Sequence, residues 1–132
     1  MTTHLTAEQL EHFRKKLEER RQALKARIRE ELLKADDEHY AELAGQVHDA
    51  EEASVADMLV DLNMATIELH VRELREVEDA LSRIRNGEYG TCTECGGPIS
   101  EARLEAYPTA LRCIQCQDIW EKTHASGNTP AL

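Results

Sequence analysis

All four cysteines of the chain sit in two pairs of identical spacing, Cys92-Thr93-Glu94-Cys95 and Cys113-Ile114-Gln115-Cys116, with seventeen residues between the pairs. Two residues between cysteines is the spacing that turns both sulfurs toward one tetrahedral ion, and this double pair falls in the range of structural zinc sites. Gly96 and Gly97 follow the first pair, where backbone without a Cβ can turn tightly beneath the sulfurs. Four thiolates complete the coordination sphere of one Zn2+ and leave no position for an activated water. The metal is therefore expected to hold structure and to do no chemistry, and no enzyme activity is expected of the chain. Two disulfides are the competing reading. They suit a secreted protein, but the N-terminus Met-Thr-Thr-His-Leu-Thr-Ala-Glu lacks the basic start and apolar run of a signal peptide, so a cytoplasmic location is expected. Oxidation of zinc-bound thiolates is a further route by which the ion can be released.

A chain of 132 residues with 32% charged and only 4% aromatic residues has little material for a thick core. Long helices packed through a narrow apolar seam need less, and a metal-stapled end compensates for a thin core. No apolar run approaches the length of a membrane span. The net charge of -10 is unevenly spread: residues 1–34 carry +3, residues 35–80 carry -12 and residues 81–132 carry -1. No Lys or Arg occurs between Lys34 and Arg72. Such a segment repels nucleic acid phosphates and is steered toward basic surfaces or a metal-containing cleft. Around the cysteines only Arg103, Arg112 and Lys122 are cationic, which argues against a DNA-binding finger.

Thr6-Ala7-Glu8-Gln9 reads as a capping box that starts a helix. Leu10, Phe13, Leu17, Leu24, Ile28 and Leu32 then recur at helical spacings, and the pattern predicts a helix to about Ala44, interrupted by Gly45. A second long helix is expected from residues 49–54 to Asn86-Gly87, with a seam of Val60, Asn63, Ile67, His70, Leu74, Val77, Leu81 and Ile84. Met58, Leu62, Ala65 and Leu69 form a flanking stripe, and Asn63 and His70 are expected to set register. Short connection makes the two helices antiparallel neighbours, with a tip at residues 45–54. Ser100 caps a short helix, Glu101 to Ala106, ended by Pro108. A last helix from Cys116 to His124 offers Ile119 and Trp120 to a small core with Phe13, Leu17 and Leu81. Residues 125–132 are expected to be a flexible tail. The fold class is thus mainly α: a long antiparallel coiled-coil hairpin (1–90), then a four-cysteine zinc finger and C-terminal helix (91–124).

With the hairpin, Gly87-Glu88-Tyr89-Gly90-Thr91-Cys92, Arg103-Leu104-Glu105-Ala106-Tyr107-Pro108-Thr109-Ala110 and the second cysteine pair, most of the chain resembles the DksA/TraR family of bacterial transcription factors. The resemblance implies a regulator of transcription initiation that reads no DNA sequence, and the chain is expected to be a monomer. Its partner would be RNA polymerase, entered through the secondary channel by the coiled-coil tip. The family tip motif Asp-x-x-Asp-x-Ala maps here onto Asp49, Glu52 and Ser54. The second Asp has become Glu and the Ala has become Ser. Asp49 and Glu52 also have the spacing of a helix cap and its third-residue partner. Three basic positions that help relatives hold the alarmone ppGpp correspond to Glu76, Tyr107 and Gln117, so a ppGpp response is not expected. The alternative is a zinc-stapled helical-hairpin adaptor that docks on another basic protein.

Overall fold

The computed structural model describes residues 4–51 and 53–128. Among the described residues the regular elements are all helices: α1 (Ala7–Lys34), α2 (Glu38–Asp49), α3 (Val55–Met58), α4 (Ala65–Arg85), α5 (Glu101–Ala106) and α6 (Ile114–Asn128). The sole bridge among the described residues joins Thr91 and Pro98 in antiparallel sense. The chain divides into two compact units, one of residues 14–82 and one that unites residues 1–13 with 83–132. The chain enters the first of these through α1 and leaves it through α4, so the two helices form the antiparallel pair of a long hairpin.

Local signals set several helix ends. Thr6 Oγ1 accepts from the Gln9 N–H at 3.1 Å while Gln9 Oε1 accepts from the Thr6 N–H at 2.8 Å, the reciprocal capping box expected from the sequence. Ser100 caps α5 by accepting from the Arg103 N–H at 3.2 Å. Past the end of α4, Gly87 takes φ 77°, and the Glu88 N–H closes back on the Arg83 carbonyl at 2.8 Å.

In the unit of residues 14–82, Leu17, Leu24, Ile28 and Leu32 of α1 are buried, as are Ile67, Leu74, Val77 and Leu81 of α4. These are the seam positions that periodicity selects. The first helix, however, stops at Lys34 and not near Ala44. Asp36 adopts φ 50° and reverses the chain, and the Asp37 side chain caps α2 by accepting from the His39 and Tyr40 N–H groups. Helix α2 runs back along α1 and buries Ala44 and Val47, with Ala50 buried just beyond its end, so Gly45 lies inside a helix and interrupts nothing. The reversal after the first helix thus lies at residues 35–37, ahead of the expected tip at 45–54.

The second long helix also differs from expectation, starting at Ala65 and not at 49–54. Val60 and Asn63 precede it and are exposed, so neither belongs to a helical seam, and Asn63 sets no register there. Met58 ends α3 and Leu69 is 68% exposed, so the flanking stripe is not a continuous face.

The other unit has a separate small core of Leu5, Phe13, Tyr89, Ile99, Leu104 and Ala110. Phe13 and Tyr89 rings pack with centroids 5.7 Å apart, and the buried Tyr89 hydroxyl donates to the Pro108 carbonyl at 2.8 Å. The start of α1 is held to α5 by Gln9 Nε2 donating to Glu101 at 2.7 Å and by His12 with Glu105 at 2.7 Å. Ile119 is 61% exposed and closes no core. Trp120 instead stacks on His124 at 4.0 Å, with the Arg112 guanidinium 4.7 Å from its ring centre. Helix α6 begins earlier than expected and runs to Asn128, so the first residues of the expected tail are helical. Residues 129–132 lie outside the described residues.

Candidate functional site

The four cysteines converge. Their sulfurs all lie within 4.8 Å of one another, and those of Cys95 and Cys113 are 3.9 Å apart. Zn–S bonds of about 2.3 Å in a tetrahedron imply sulfur separations of about 3.8 Å, so the cluster fits one zinc ion. Gly96, at φ 75°, supplies the left-handed turn that brings the Gly96 N–H to the Cys92 carbonyl at 3.0 Å. The second pair is presented differently, with Cys113 just before α6 and Cys116 in its first turn.

Backbone N–H groups point at the sulfurs: Glu94 N–H to Cys92 at 3.4 Å, Gly97 N–H to Cys95 at 3.4 Å and Cys116 N–H to Cys113 at 3.5 Å. Burial opposes ionisation of Cys92, but N–H groups of Cys95, Cys113 and Glu94 outweigh it and bring its pKa down to about 6. Cys116 moves the other way, to about 12, chiefly because it hydrogen-bonds to Cys113. Without a cation the crowded thiols cannot all ionise. A dication removes that conflict, and with all four positions filled it acts as a staple.

Asp49 is the exposed last residue of α2, Ser54 is the N-cap of α3, and Glu52 lies outside the described residues. Ser54 Oγ accepts from the Asp57 N–H at 3.2 Å and donates to Glu78 at 2.8 Å. Glu78 also accepts from the Val55 and Ala56 N–H groups, at 3.0 and 3.2 Å.

The residues that hold this segment were not singled out by periodicity. Arg21 donates to the Glu51 carbonyl at 3.0 Å, to the Ala53 carbonyl at 3.1 Å and to Glu78 at 3.1 Å. Lys25, 5% exposed, donates to the Ala50 carbonyl at 2.5 Å, and burial, then the Arg21 charge, lowers its pKa. Arg29 meets His48 at 2.7 Å. One signal was available: the apolar stripe of α1 skips from Leu17 to Leu24, and the heptad place between them is Arg21.

Comparison with known proteins decides what carries this centre. The profile of the prokaryotic dksA/traR C4-type zinc finger matches residues 87–121. The RNA polymerase-binding transcription factor DksA of Caulobacter vibrioides is 33% identical over 116 residues, which span 86% of this chain and 77% of that protein. The chain belongs to the DksA/TraR family. Its cysteine cluster is accordingly the family's four-cysteine zinc finger, with one structural zinc. The RNA polymerase-binding transcription factor DksA of Escherichia coli is 27% identical over 118 residues, 89% of this chain and 75% of that protein. Among solved structures, transcription factor DksA2 from Pseudomonas aeruginosa is similar with a TM-score of 0.65 and 31% identity, covering 92% of this family member and 90% of that chain.

Proposed function

We propose that this DksA-family protein is a regulator of transcription initiation that binds RNA polymerase as a monomer in the cytoplasm, without catalysis of its own. The observation that carries the reading is likeness along most of the chain to proteins named as RNA polymerase-binding transcription factors, with the solved transcription factor DksA2 similar over 92% of it. In this reading the acidic segment enters the secondary channel, and Asp49, Glu52 and Ser54 make the contacts near the catalytic Mg2+. Charge supports it: the segment from 35 to 80 carries -12, which favours a basic or metal-containing cleft over nucleic acid. No helix among the described residues is long and apolar enough to cross a membrane.

The protein acts without ppGpp in this proposal. Glu76 is exposed and anionic, Gln117 Nε2 donates to Glu121 at 2.9 Å, and Tyr107 offers a ring with the Arg103 guanidinium 5.6 Å from its centre. A carboxylate and two neutral groups give a polyanionic ligand none of the charge-assisted bonds it needs. The test is gel filtration with core RNA polymerase, followed by transcription in vitro with and without ppGpp. Co-elution, with a change in transcript yield that ppGpp leaves unaltered, is expected. Failure to co-elute sinks the polymerase reading and favours an adaptor for another basic protein. A ppGpp-dependent effect sinks only the second claim.

A further inference from the structure

Helix α1 breaks at residues 35–37 without a helix breaker. Residues 35–44 contain neither Pro nor Gly, and their periodicity suits a continuous helix to Ala44. The break instead rests on Asp36 in the left-handed region, at φ 50°, a conformation an L-residue seldom adopts. What supports this turn lies downstream. Ala44, Val47 and Ala50 pack inward, and the carbonyls of Ala50, Glu51 and Ala53 are taken by Lys25 and Arg21. Glu78 engages Ser54 and the first N–H groups of α3.

A helix continued through Asp36 would carry Ala44 roughly 15 Å beyond Lys34 along the axis. Ala50, Glu51 and Ala53 would then leave Lys25 and Arg21. The folded-back and continuous arrangements are mutually exclusive, and both are compatible with the same local sequence. We infer that the fold contains a latch: Arg21, Lys25 and Glu78 park Ala50, Glu51, Ala53 and Ser54 against α1 and α4, and straightening at Asp36 releases the segment for engagement. This inference rests on the reading of residues 49–54 as the polymerase-contacting segment. In the parked state the hydroxyl of Ser54 and the carbonyls of Ala50, Glu51 and Ala53 are already occupied, so a partner must compete with α1 for them.

Two substitutions at the exposed Asp36 bias the latch in opposite directions and leave the buried seam intact. Asp36→Gly removes the strain of the folded-back turn and weakens the continuous helix, whereas Asp36→Ala does the reverse. The zinc-loaded full chain and both variants would be titrated against core RNA polymerase, with amide exchange at Val55 and Ala56 read in the free protein. Asp36→Ala is expected to exchange faster and bind about fivefold more tightly, and Asp36→Gly to exchange more slowly and bind about fivefold more weakly. Opposite exchange shifts with unchanged affinity overturn the latch alone, since polymerase binding survives. Unchanged exchange in both variants shows no equilibrium at the turn and also overturns it. If the unaltered chain does not bind polymerase, the functional reading falls and the latch with it.

Discussion

Arg21 and Glu78 form an ion pair at 3.1 Å in which the side chains are 5% and 12% exposed, and each also secures backbone, Arg21 the carbonyls of Glu51 and Ala53 and Glu78 the N–H groups of Val55 and Ala56. The guanidinium fork suits this position because it serves a carboxylate and two carbonyls at once, which a lysine ammonium could not match in geometry.

Replacing Arg21 by Met leaves the Glu78 carboxylate without its cation in a site from which water is largely excluded. A loss of about 3 kcal/mol in unfolding free energy is expected. Urea titration measures it, and Arg21→Met with Glu78→Leu should recover part of the loss because no unpaired charge remains. A double variant no more stable than Arg21→Met would show that the carbonyl contacts, and not the charge pair, dominate.

Zinc removal should loosen the unit that holds the cysteines, since metal binding supplies folding free energy in so small a core. Trp120 is the reporter, being stacked on His124 and beside Arg112, close to the second cysteine pair. Chelation is expected to shift its fluorescence and lower helix content, with restoration at one equivalent of Zn2+. A chelator-treated protein with unchanged thermal unfolding would contradict a structural role.

The Arg20–Glu73 pair, with contacts of 2.5 and 2.7 Å, makes a small acid-sensitive contribution. The Arg20 hydrogen bond, opposed by burial, holds the Glu73 pKa below its ordinary 4.5. A depressed carboxylate stabilises the fold above its unfolded pKa, and that stability disappears as pH falls through the folded one. Both groups are more than a third exposed, so Arg20→Gln should cost at most about 1 kcal/mol at pH 7, less in high salt. The difference from the unaltered chain should shrink as pH falls below 4.5; a difference that acid leaves unchanged would assign the effect to packing.

At the alkaline end, burial raises the Tyr89 pKa well above 10, and the phenol donates to Pro108. A raised tyrosine pKa favours the neutral form in the folded state, so its contribution is complete below pH 10 and declines as pH rises further. Tyr89→Phe is expected to cost about 1 kcal/mol at pH 7 by leaving the Pro108 carbonyl without its donor. Ultraviolet titration should show one tyrosine that ionises only with unfolding, and its loss in the Phe variant identifies it.

Sequence by itself determined what depends on neighbours a few residues apart. Cysteine spacing specified the metal centre, because two intervening residues are enough to aim two sulfurs at one point. The Thr6–Gln9 box, the Ser100 cap and the left-handed Gly87 were legible for the same reason: each hydrogen bond closes within five residues. Apolar recurrence likewise named Leu17, Leu24, Ile28, Leu32, Leu74 and Val77 as buried.

Tertiary structure alone decided where the first helix ends and what becomes of residues 49–54. The contacts responsible join Arg21 and Lys25 to Ala50, Glu51 and Ala53, and Glu78 to Ser54, residues more than twenty positions apart. A pattern of polar and apolar residues registers Arg21 as a polar gap in the α1 seam and Lys25 as solvated, and it names no partner for either. Only a second segment of chain folded over them turns those charges into buried clamps, and a helix whose local preferences would carry it onward stops where that packing outweighs them.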